Sequence, residues 1–284
     1  MKLKATAGVS DCRQKERISE MSGKFKIDSM LPFCLNWTWR IFCLFAAGMV
    51  ATAFGGERER ERVVIVAAHP DDLGGCAGTA FLLAEKFDVR VVDFTRGENG
   101  LGEAGYRDGS TAKLRVAEEY AACAMLGTEP RFLCETNYRG YAFAGREVTK
   151  QLTDIFTELK PRAVILHWPL DTNPDHGQSA AAALHAIYFT GLKPEIYFME
   201  HSHQCRSFQP AYYVDITRVK ERKDKLIMCY KCQHPEEIRK RKEDDSIFRG
   251  RSIGVRYAEA FGVYGGSVKA NHSIFNEIDP PGIR

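Results

Sequence analysis

The sequence lacks a charge excess of either sign. Its 40 Lys and Arg residues nearly balance its 37 Asp and Glu residues, which leaves a formal net charge of +3 over 284 residues. Basic residues cluster at 218–225 and 239–242, where acidic residues are mixed in or flank them. We interpret both clusters as solvated helix faces. Because nucleic-acid binding requires a strong positive field, this balance gives no support to a nucleic-acid partner.

The sequence also lacks a cysteine pattern that would build a small structural metal site. Nine cysteines are scattered along the chain, and Cys229 and Cys232 make one C-x-x-C. No second pair and no His-x-His partner follows at zinc-finger spacing. A disulfide or redox pair is one interpretation of this motif. Its position in an amphipathic helix pattern favours ordinary packing.

No apolar run in the sequence is long enough for a comfortable membrane span. The apolar stretch within residues 30–54 has the length of a secretory h-region, and 51–53 resembles an A-x-A cleavage signal. We therefore expect a signal peptide at 30–54, with Met21 or Met30 as the start, and export to the periplasm or the exterior. An uncleaved signal anchor is one alternative, and it is the only membrane association that we expect. A misassigned start on a cytoplasmic protein is the other alternative.

The remaining chain divides by composition into three further parts. Residues 1–29 are polar and patternless, and we expect a disordered or non-native extension there. Residues 55–61 form a charged linker. Residues 62–284 are long enough for a single large domain with its own core. We find no internal repeat and no indication of oligomeric state.

Within 62–284 the hydrophobic pattern alternates between short apolar runs and amphipathic stretches. Such alternation predicts an α/β, Rossmann-like fold, with a mainly parallel sheet and helices on both faces. The predicted strands are 62–68, 89–94, 131–134, 162–167, 195–199 and 211–216. The predicted helices are 75–86, 110–126 with Ser110 as N-cap, 146–159, 180–188 and a last one capped by Thr217 and reaching about 231.

Three predicted loops collect polar side chains at the carboxyl ends of strands, where ligands bind in such sheets. They hold His69, Asp71 and Asp72; Arg96, Glu98 and Asn99; and Asp171, Asn173, Asp175 and His176. A catalytic zinc site uses three His, Asp or Glu ligands and one open position. His69, Asp72 and His176 satisfy that count, which leaves the adjacent Asp71 free to act as a base. The same ligands do not exclude Fe²⁺ or another divalent ion.

The sequence AHPDD at 68–72, after a hydrophobic strand, together with PDH at 174–176, resembles the PIG-L/LmbE-like family of zinc-dependent N-deacetylases. The resemblance runs from about 62 to about 264. Family members remove acetyl groups from N-acetylglucosamine attached to inositol, phosphatidylinositol or other glycans. The resemblance implies an LmbE-like Rossmann fold, zinc held by His69, Asp72 and His176, and Asp71 as general base. It further implies that Arg96 and Glu98 contact substrate hydroxyls. Because Asp175 precedes His176, we expect it to orient a ligand or a loop and not to bind the metal itself.

The sequence departs from the family at two positions. The family usually has His-Pro-Asp-His where this chain has Asn-Pro-Asp-His at 173–176, so Asn173 replaces the first histidine. An asparagine can donate a hydrogen bond to an oxyanion but cannot supply a proton near neutral pH. Either Asp71 shuttles the proton both ways, or another histidine (His167, His201 or His203) has taken over. The second departure is Tyr230, where relatives often have His.

The function that we expect is removal of the N-acetyl group from an N-acetylglucosamine-type amino sugar or glycoconjugate. One alternative is a secreted zinc-containing relative that binds sugars with little or no turnover, since Asn173 replaces the expected acid. Another class is a dinucleotide-binding oxidoreductase. Gly74, Gly75 and Gly78 suggest it, and Asp93 lies where a ribose-binding acid is expected. The glycine spacing is wrong for G-x-G-x-x-G, however, and HPDD occupies the turn that a pyrophosphate would need.

Overall fold

The computed structural model describes residues 59–101, 107, 109–133, 137–138, 141–201, 203–269 and 272–279. All of these residues lie in one compact unit, 58–284. The predicted extension at 1–29, the predicted signal peptide at 30–54 and most of the linker at 55–61 fall outside the described residues. Among the described helices, none is both long and apolar enough to cross a membrane.

A seven-stranded sheet organises the described part of the chain. Its order is β3-β2-β1-β6-β7-β9-β8, and β4 and β5 pair separately. The pairs β1–β2, β1–β6, β2–β3 and β6–β7 are parallel, whereas β9 runs antiparallel to β7 and β8. The predicted mainly parallel sheet is therefore confirmed, with an antiparallel edge added. The strands are β1 Arg62–Ala67, β2 Asp88–Asp93, β3 Pro130–Phe132, β4 Asn137–Tyr138, β5 Tyr141–Ala142, β6 Ala163–His167, β7 Glu195–Met199, β8 Tyr212–Asp215 and β9 Ala258–Val263.

Helices cover both faces of this sheet, as predicted. Side chains of β1 alternate between the two faces, so Val63 and Ile65 join one buried cluster and Val64 and Val66 join the other. The first cluster includes residues of α1, α2, α5 and α7, and the second includes residues of α3 and α4. The helices are α1 Ala77–Ala84, α2 Ser110–Ala124, α3 Arg146–Leu159, α4 Pro174–Thr190, α5 Lys220–Ile227, α6 Pro235–Ile253 and α7 Ile274–Ile278.

The helix predicted most accurately is α3, whose observed bounds equal the expected ones. Its buried residues recur at helical spacing: Val148, Leu152, Ile155, Phe156 and Leu159. All buried residues of α3 belong to this regular apolar stripe, so the pattern alone was enough to predict where the helix begins and ends.

The start of α4 was predicted wrongly, and the difference matters for the site. The helix begins at Pro174 rather than at 180, so the PDH motif lies in its first turn and not in a loop. Proline at the first helical position costs no hydrogen bond, and the Asn173 side chain accepts the Asp175 N–H at 3.1 Å. The sequence N-P-D therefore starts the helix six residues before its apolar pattern becomes visible.

Other predicted boundaries also need correction. Ser110 is the first residue of α2, and the N-cap is Gly109 with a φ of 70°. Thr217 begins a short 3-10 turn instead of capping a long helix, and α5 ends at Ile227. Cys229 and Cys232 consequently lie beyond α5 with free thiols, and the Cys232 Sγ lies 3.0 Å from Glu118 Oε2.

Candidate active site

The turn after β1 carries three of the predicted site residues. A 3-10 turn at Asp72–Gly75 follows it directly, and Asp71 has a φ of 104°, which is costly for a residue with a Cβ. Arg115 of α2 holds this conformation by donating to the Pro70 carbonyl and, at 2.7 Å, to Asp71 Oδ1. Glu119 accepts the Asp71 N–H at 3.2 Å. The turn is thus fixed from α2, far away in the chain.

His69, Asp72 and His176 come together as predicted. Asp72 Oδ2 lies 3.3 Å from His69 Nδ1, and Asp72 Oδ1 lies 3.3 Å from His176 Nε2. One donor atom from each residue lies within 4.8 Å of the others, so the three could hold a metal ion. His69 and Asp72 come from the β1 turn, and His176 comes from the first turn of α4.

The outer nitrogen of each histidine is held by a carboxylate. His69 Nε2 lies 2.9 Å from Asp175 Oδ2, and His176 Nδ1 lies 3.0 Å from Asp171 Oδ2. Carboxylates in this position orient metal-binding imidazoles and make them better ligands. Two imidazoles and one carboxylate, supported in this way, fit a catalytic divalent metal site. Asp175 therefore occupies the orienting position expected of it, whereas the sequence assigned no role to Asp171.

The histidines and aspartates of the cluster shift one another's pKa values, because each stabilises the charged form of its neighbour. Burial alone would lower the pKa of His69, but hydrogen bonds to Asp175 and Asp72 raise it to about 9. Burial opposes protonation of His176 as well, yet the charges of Asp72 and Asp171 raise its pKa to about 10. Burial would raise the pKa of Asp72, but His176 and His167 hold it well below its usual range. A buried Asp72 carboxylate therefore requires compensating positive charge, from protons or from a metal ion.

Asp71 lies beside this cluster with different properties. Burial raises its pKa to about 6, against the lowering effect of the Arg115 charge, and the neighbouring Asp72 raises it further. A carboxylate of that pKa is ionised at neutral pH and more basic than an ordinary one. Asp71 thus has the position and the ionisation that a general base needs.

Of the other predicted site residues, some lie at the site and others do not. Asn173 directs its side chain to the site, with Nδ2 3.4 Å from His176 Nε2. Arg96 is exposed, its backbone N–H donates to Glu98 Oε2 at 3.1 Å, and neither residue is among the described cavity-lining residues. Their predicted contact with substrate hydroxyls stays a prediction. Asn99, from the same loop, does line the cavity.

A cavity of about 300 Å³ opens over the cluster. It is lined by His69, Asp71, Asp72, Gly97, Asn99, Gly100, Arg115, Tyr141, Asn173, Asp175, His176, His201, His203, Gln204, Gln233, Ile238, Arg241 and Lys242. The two glycines make room for Arg115, since a Cβ at Gly97 would lie 2.6 Å from Arg115 Nε and one at Gly100 would also meet its guanidinium. Arg115 therefore serves the β1 turn, whereas Glu118, three residues further along α2, contacts Cys232.

His201 and Lys242, which line the cavity, and the neighbouring His167 form a group that was not predicted as a unit. His201 is buried, and its Nδ1 lies 3.2 Å from Lys242 Nζ. His167 is fully buried, and its Nε2 accepts the Ala68 N–H at 3.0 Å. Burial, with the charge of His176, lowers the pKa of His167 to about 4. Burial, with the charge of Lys242, holds the pKa of His201 well below its usual value.

The interpretation of the basic clusters as solvated faces is wrong for three lysines. Lys242 is 6% exposed, and in the other cluster Lys220 and Lys223 are 6% and 1% exposed. Lys223 pairs with Glu259 at 2.8 Å. Helix α6 buries Lys242, Ser246 and Gly250 at four-residue spacing, so its inward face is polar or small. The four-residue spacing of these positions was the sequence feature that could have predicted the buried face of α6. It was missed because the face carries no apolar side chains.

Two further expectations can be judged from burial. Asp93 is fully buried, and burial with the charge of Glu119 raises its pKa well above the usual range, so it cannot serve an exposed ribose. This removes the main support for a dinucleotide site. Tyr230, at the second departure from the family, is 1% exposed and packs in the core, and it is not among the described residues that line the cavity.

The fold and this cluster define the chain as an α/β protein with a His-Asp-His site at the carboxyl ends of β1 and β6. Residues 64–187 match the family described as PIG-L: GlcNAc-PI de-N-acetylase. This match confirms the resemblance drawn from AHPDD and PDH.

Deacetylases and a hydratase are among the similar proteins. The diacetylchitobiose deacetylase of Thermococcus kodakarensis is 26% identical over 219 residues, covering 70% of this chain and 81% of the relative. The structure of the N,N'-diacetylchitobiose deacetylase from Pyrococcus horikoshii gives a TM-score of 0.62 at 25% identity, covering 82% of this chain and 95% of the other. The 4-carboxy-2-hydroxymuconate hydratase of Pseudomonas putida gives a TM-score of 0.63 at 25% identity, covering 75% and 100%.

Proposed function

We propose that this protein is a zinc-dependent N-deacetylase that hydrolyses the acetamide of an N-acetylglucosamine-type sugar or glycoconjugate. One observation carries the proposal: His69, Asp72 and His176 converge while carboxylates hold both outer imidazole nitrogens. The deacetylases among the similar proteins support it. Fe²⁺ suits the same ligands, so the identity of the metal belongs to the test.

Each residue then has a defined task. A divalent ion bound by His69, Asp72 and His176 supplies Lewis-acid stabilisation of negative charge and makes water more acidic at neutral pH. Asp71, held by Arg115 at 2.7 Å, accepts the proton of the attacking water. Asn173 donates from Nδ2 to the acyl oxygen as charge develops there. Because Asn173 has no proton to give, Asp71 returns its proton to the departing amine nitrogen, and the products are a free amino sugar and acetate.

The cavity suits one neutral sugar ring above this site. Its volume is about 300 Å³, and amide side chains at Asn99, Gln204 and Gln233 line it. Amides both donate and accept hydrogen bonds, as sugar hydroxyls require. Tyr141, which is 55% exposed, offers an aromatic face at the mouth. These groups support a glycoside as substrate.

The test combines metal analysis of the purified protein with a screen for amine release from N-acetylglucosamine conjugates, including diacetylchitobiose. We expect about one metal ion per chain and amine release that is lost on chelation and restored by zinc. Metal without amine release from the whole panel would favour the sugar-binding alternative. Because one similar structure is a hydratase, the panel includes 4-carboxy-2-hydroxymuconate, and turnover of that compound alone would replace the deacetylase proposal.

We further propose that the enzyme is exported and acts on an amino sugar of the cell envelope or the environment. The apolar stretch within 30–54 and the A-x-A sequence at 51–53 support this proposal. N-terminal sequencing of secreted protein should find a start near residue 54. An intact N-terminus on protein recovered from the cytoplasm would contradict export.

A further inference from the structure

His201 lies at the deep, buried wall of the cavity. It follows β7 directly, and its side chain is held close to the metal-ligand candidates: its ring centroid is 5.0 Å from that of His176 and 5.1 Å from that of His167. The backbone around it is well fixed, since the His201 carbonyl accepts N–H groups from Gln204 and Cys205, both at 2.8 Å. Only 5% of His201 is exposed. A group that reaches it from the cavity must therefore be small.

Lys242 determines which nitrogen of His201 carries the proton. Its Nζ lies 3.2 Å from His201 Nδ1, and both side chains are buried. An ammonium group has three donors and no acceptor. His201 Nδ1 must then accept, which places the ring proton on Nε2.

The resulting Nε2–H has no hydrogen-bond partner among the residues that the structure describes. A buried N–H without an acceptor is costly and rare in folded proteins. The ring edge that carries it packs closely against the backbone of Gly75, since a Cβ there would lie 2.9 Å from Nε2 and Gly75 has none. Because His201 lines the cavity, a ligand that enters the cavity is the available source of an oxygen acceptor for this buried donor.

We propose that His201 is a catalytic residue that donates its Nε2–H to the acyl oxygen of the bound acetamide and to the oxyanion that forms from it. The acyl group is the small, polar part of such a substrate, and it must lie next to His176 during hydrolysis. The Lys242 ammonium behind the ring adds positive charge where negative charge develops. Asn173 Nδ2 is then one of two donors. This assignment rests on the proposed deacetylase function.

The same geometry argues against a second metal ion at this wall. His167, His176 and His201 also bring one nitrogen each to within 4.8 Å of one another. A metal ion there needs a lone pair on His201 Nε2. Because Nδ1 accepts from Lys242, Nε2 carries the ring proton and has no lone pair for a metal ion.

The first experiment measures the tautomer and needs no turnover. Nitrogen–proton correlation spectra of the zinc-loaded full chain, with labelled histidines, should show one neutral ring protonated at Nε2 that disappears in His201→Gln. In Lys242→Met, whose side chain cannot donate to Nδ1, the same ring should populate both tautomers. A His201 ring protonated at Nδ1 in the native protein, or bound to metal, would overturn the proposal.

The second experiment measures catalysis on the N-acetylglucosamine conjugate that the native protein turns over best. His201→Leu should lower kcat by about 10²- to 10³-fold with KM within about threefold, as for loss of an oxyanion donor. His201→Gln keeps an N–H donor and should recover about tenfold of that loss. His185→Gln, exposed on α4, is the control and should match the native protein.

The outcomes separate the two proposals. Equal kcat in His201→Leu and the native protein, a change in KM alone, or loss of zinc from both His201 variants would refute the role of His201 while leaving the deacetylase function standing. Absence of amine release by the native protein would instead refute the deacetylase function, and the role assigned to His201 would fall with it.

Discussion

Two pairs of histidines lie at this site, and they differ in the hydrogen-bond partners of their ring nitrogens. His69 and His176, with ring centroids 5.7 Å apart, have their outer nitrogens against the carboxylates of Asp175 and Asp171. His167 and His201, with ring centroids 5.1 Å apart, each have one nitrogen against an N–H donor: the Ala68 backbone amide for one and the Lys242 ammonium for the other.

The difference teaches how one residue type is divided between two tasks. A carboxylate attracts the ring proton to the outer nitrogen and leaves a lone pair directed inward, which suits a metal ion. An N–H or ammonium donor bonds to the lone pair of one ring nitrogen, so the ring proton lies on the other nitrogen. That N–H can then donate to an oxygen acceptor. The partner of the far nitrogen, and not the histidine itself, decides the chemistry.

The largest effect is expected from removing a carboxylate-held histidine. His176→Ala should bring the metal content close to zero and lower amine release by about 10³-fold or more, since the metal supplies several kcal/mol of charge stabilisation. His185→Ala, an exposed histidine on the same helix, is the matched control and should retain metal and activity. Metal analysis and the amine assay measure both. Full metal content in His176→Ala would show that the ligand set is assigned wrongly.

Asp71→Asn should retain the metal and lose the base. The amide still accepts from Arg115, so the turn keeps its hydrogen bond, but it cannot take a proton. We expect a fall of about 10²- to 10⁴-fold in kcat with unchanged metal content. Asp154→Asn, exposed on α3, serves as the control. Substantial remaining turnover would remove Asp71 from the base role.

Changing the outer carboxylates tests the comparison directly. Asp175→Asn and Asp171→Asn each replace an acceptor-only group with an amide, and we expect 10- to 100-fold weaker metal binding in each. Competition with a chelator of known affinity measures this. If neither substitution weakens binding, carboxylate support does not distinguish the two histidine pairs.

The pH dependence should follow the pKa of Asp71. Burial raises that pKa to about 6, so the carboxylate is ionised above pH 6 and protonated below it. Activity should accordingly be present at neutral pH and be lost as the pH falls, with kcat/KM decreasing about tenfold per pH unit below 6. Rate profiles at saturating metal measure the acid limb. A limb centred below pH 4, at the ordinary value for aspartate, would contradict the assignment.

The smallest effect is expected at Asn173. Asn173→His should raise kcat several-fold if proton donation to the amine limits the rate. The gain is partly offset because the variant loses the N-cap bond to Asp175 N–H, worth about 1 kcal/mol. Kinetics together with a thermal melting curve separate the two contributions. An unchanged or lower rate at similar stability would mean that another group already performs this task.

Regular local patterns explain what could be predicted from the sequence. The apolar run of β1 places HPDD at a strand end, and the stripe of α3 gives its bounds without error. The candidate metal ligands followed from counting His and Asp side chains at two strand ends. Polar inward faces escaped prediction, as at Lys242, because a buried lysine has the same sequence signature as a solvated one.

The sequence by itself determined the α/β fold, the resemblance to the PIG-L/LmbE-like family and the choice of His69, Asp72 and His176 as candidate metal ligands, because hydrophobic periodicity and short motifs act within one segment. The tertiary structure decided the roles of Arg115, Asp171, His201 and Lys242. Their function depends on single hydrogen bonds between segments that the chain holds far apart, such as Lys242 Nζ to His201 Nδ1 at 3.2 Å. The position of α6 beside the segment that follows β7 brings those two atoms together, and the direction of that bond sets the proton on the histidine.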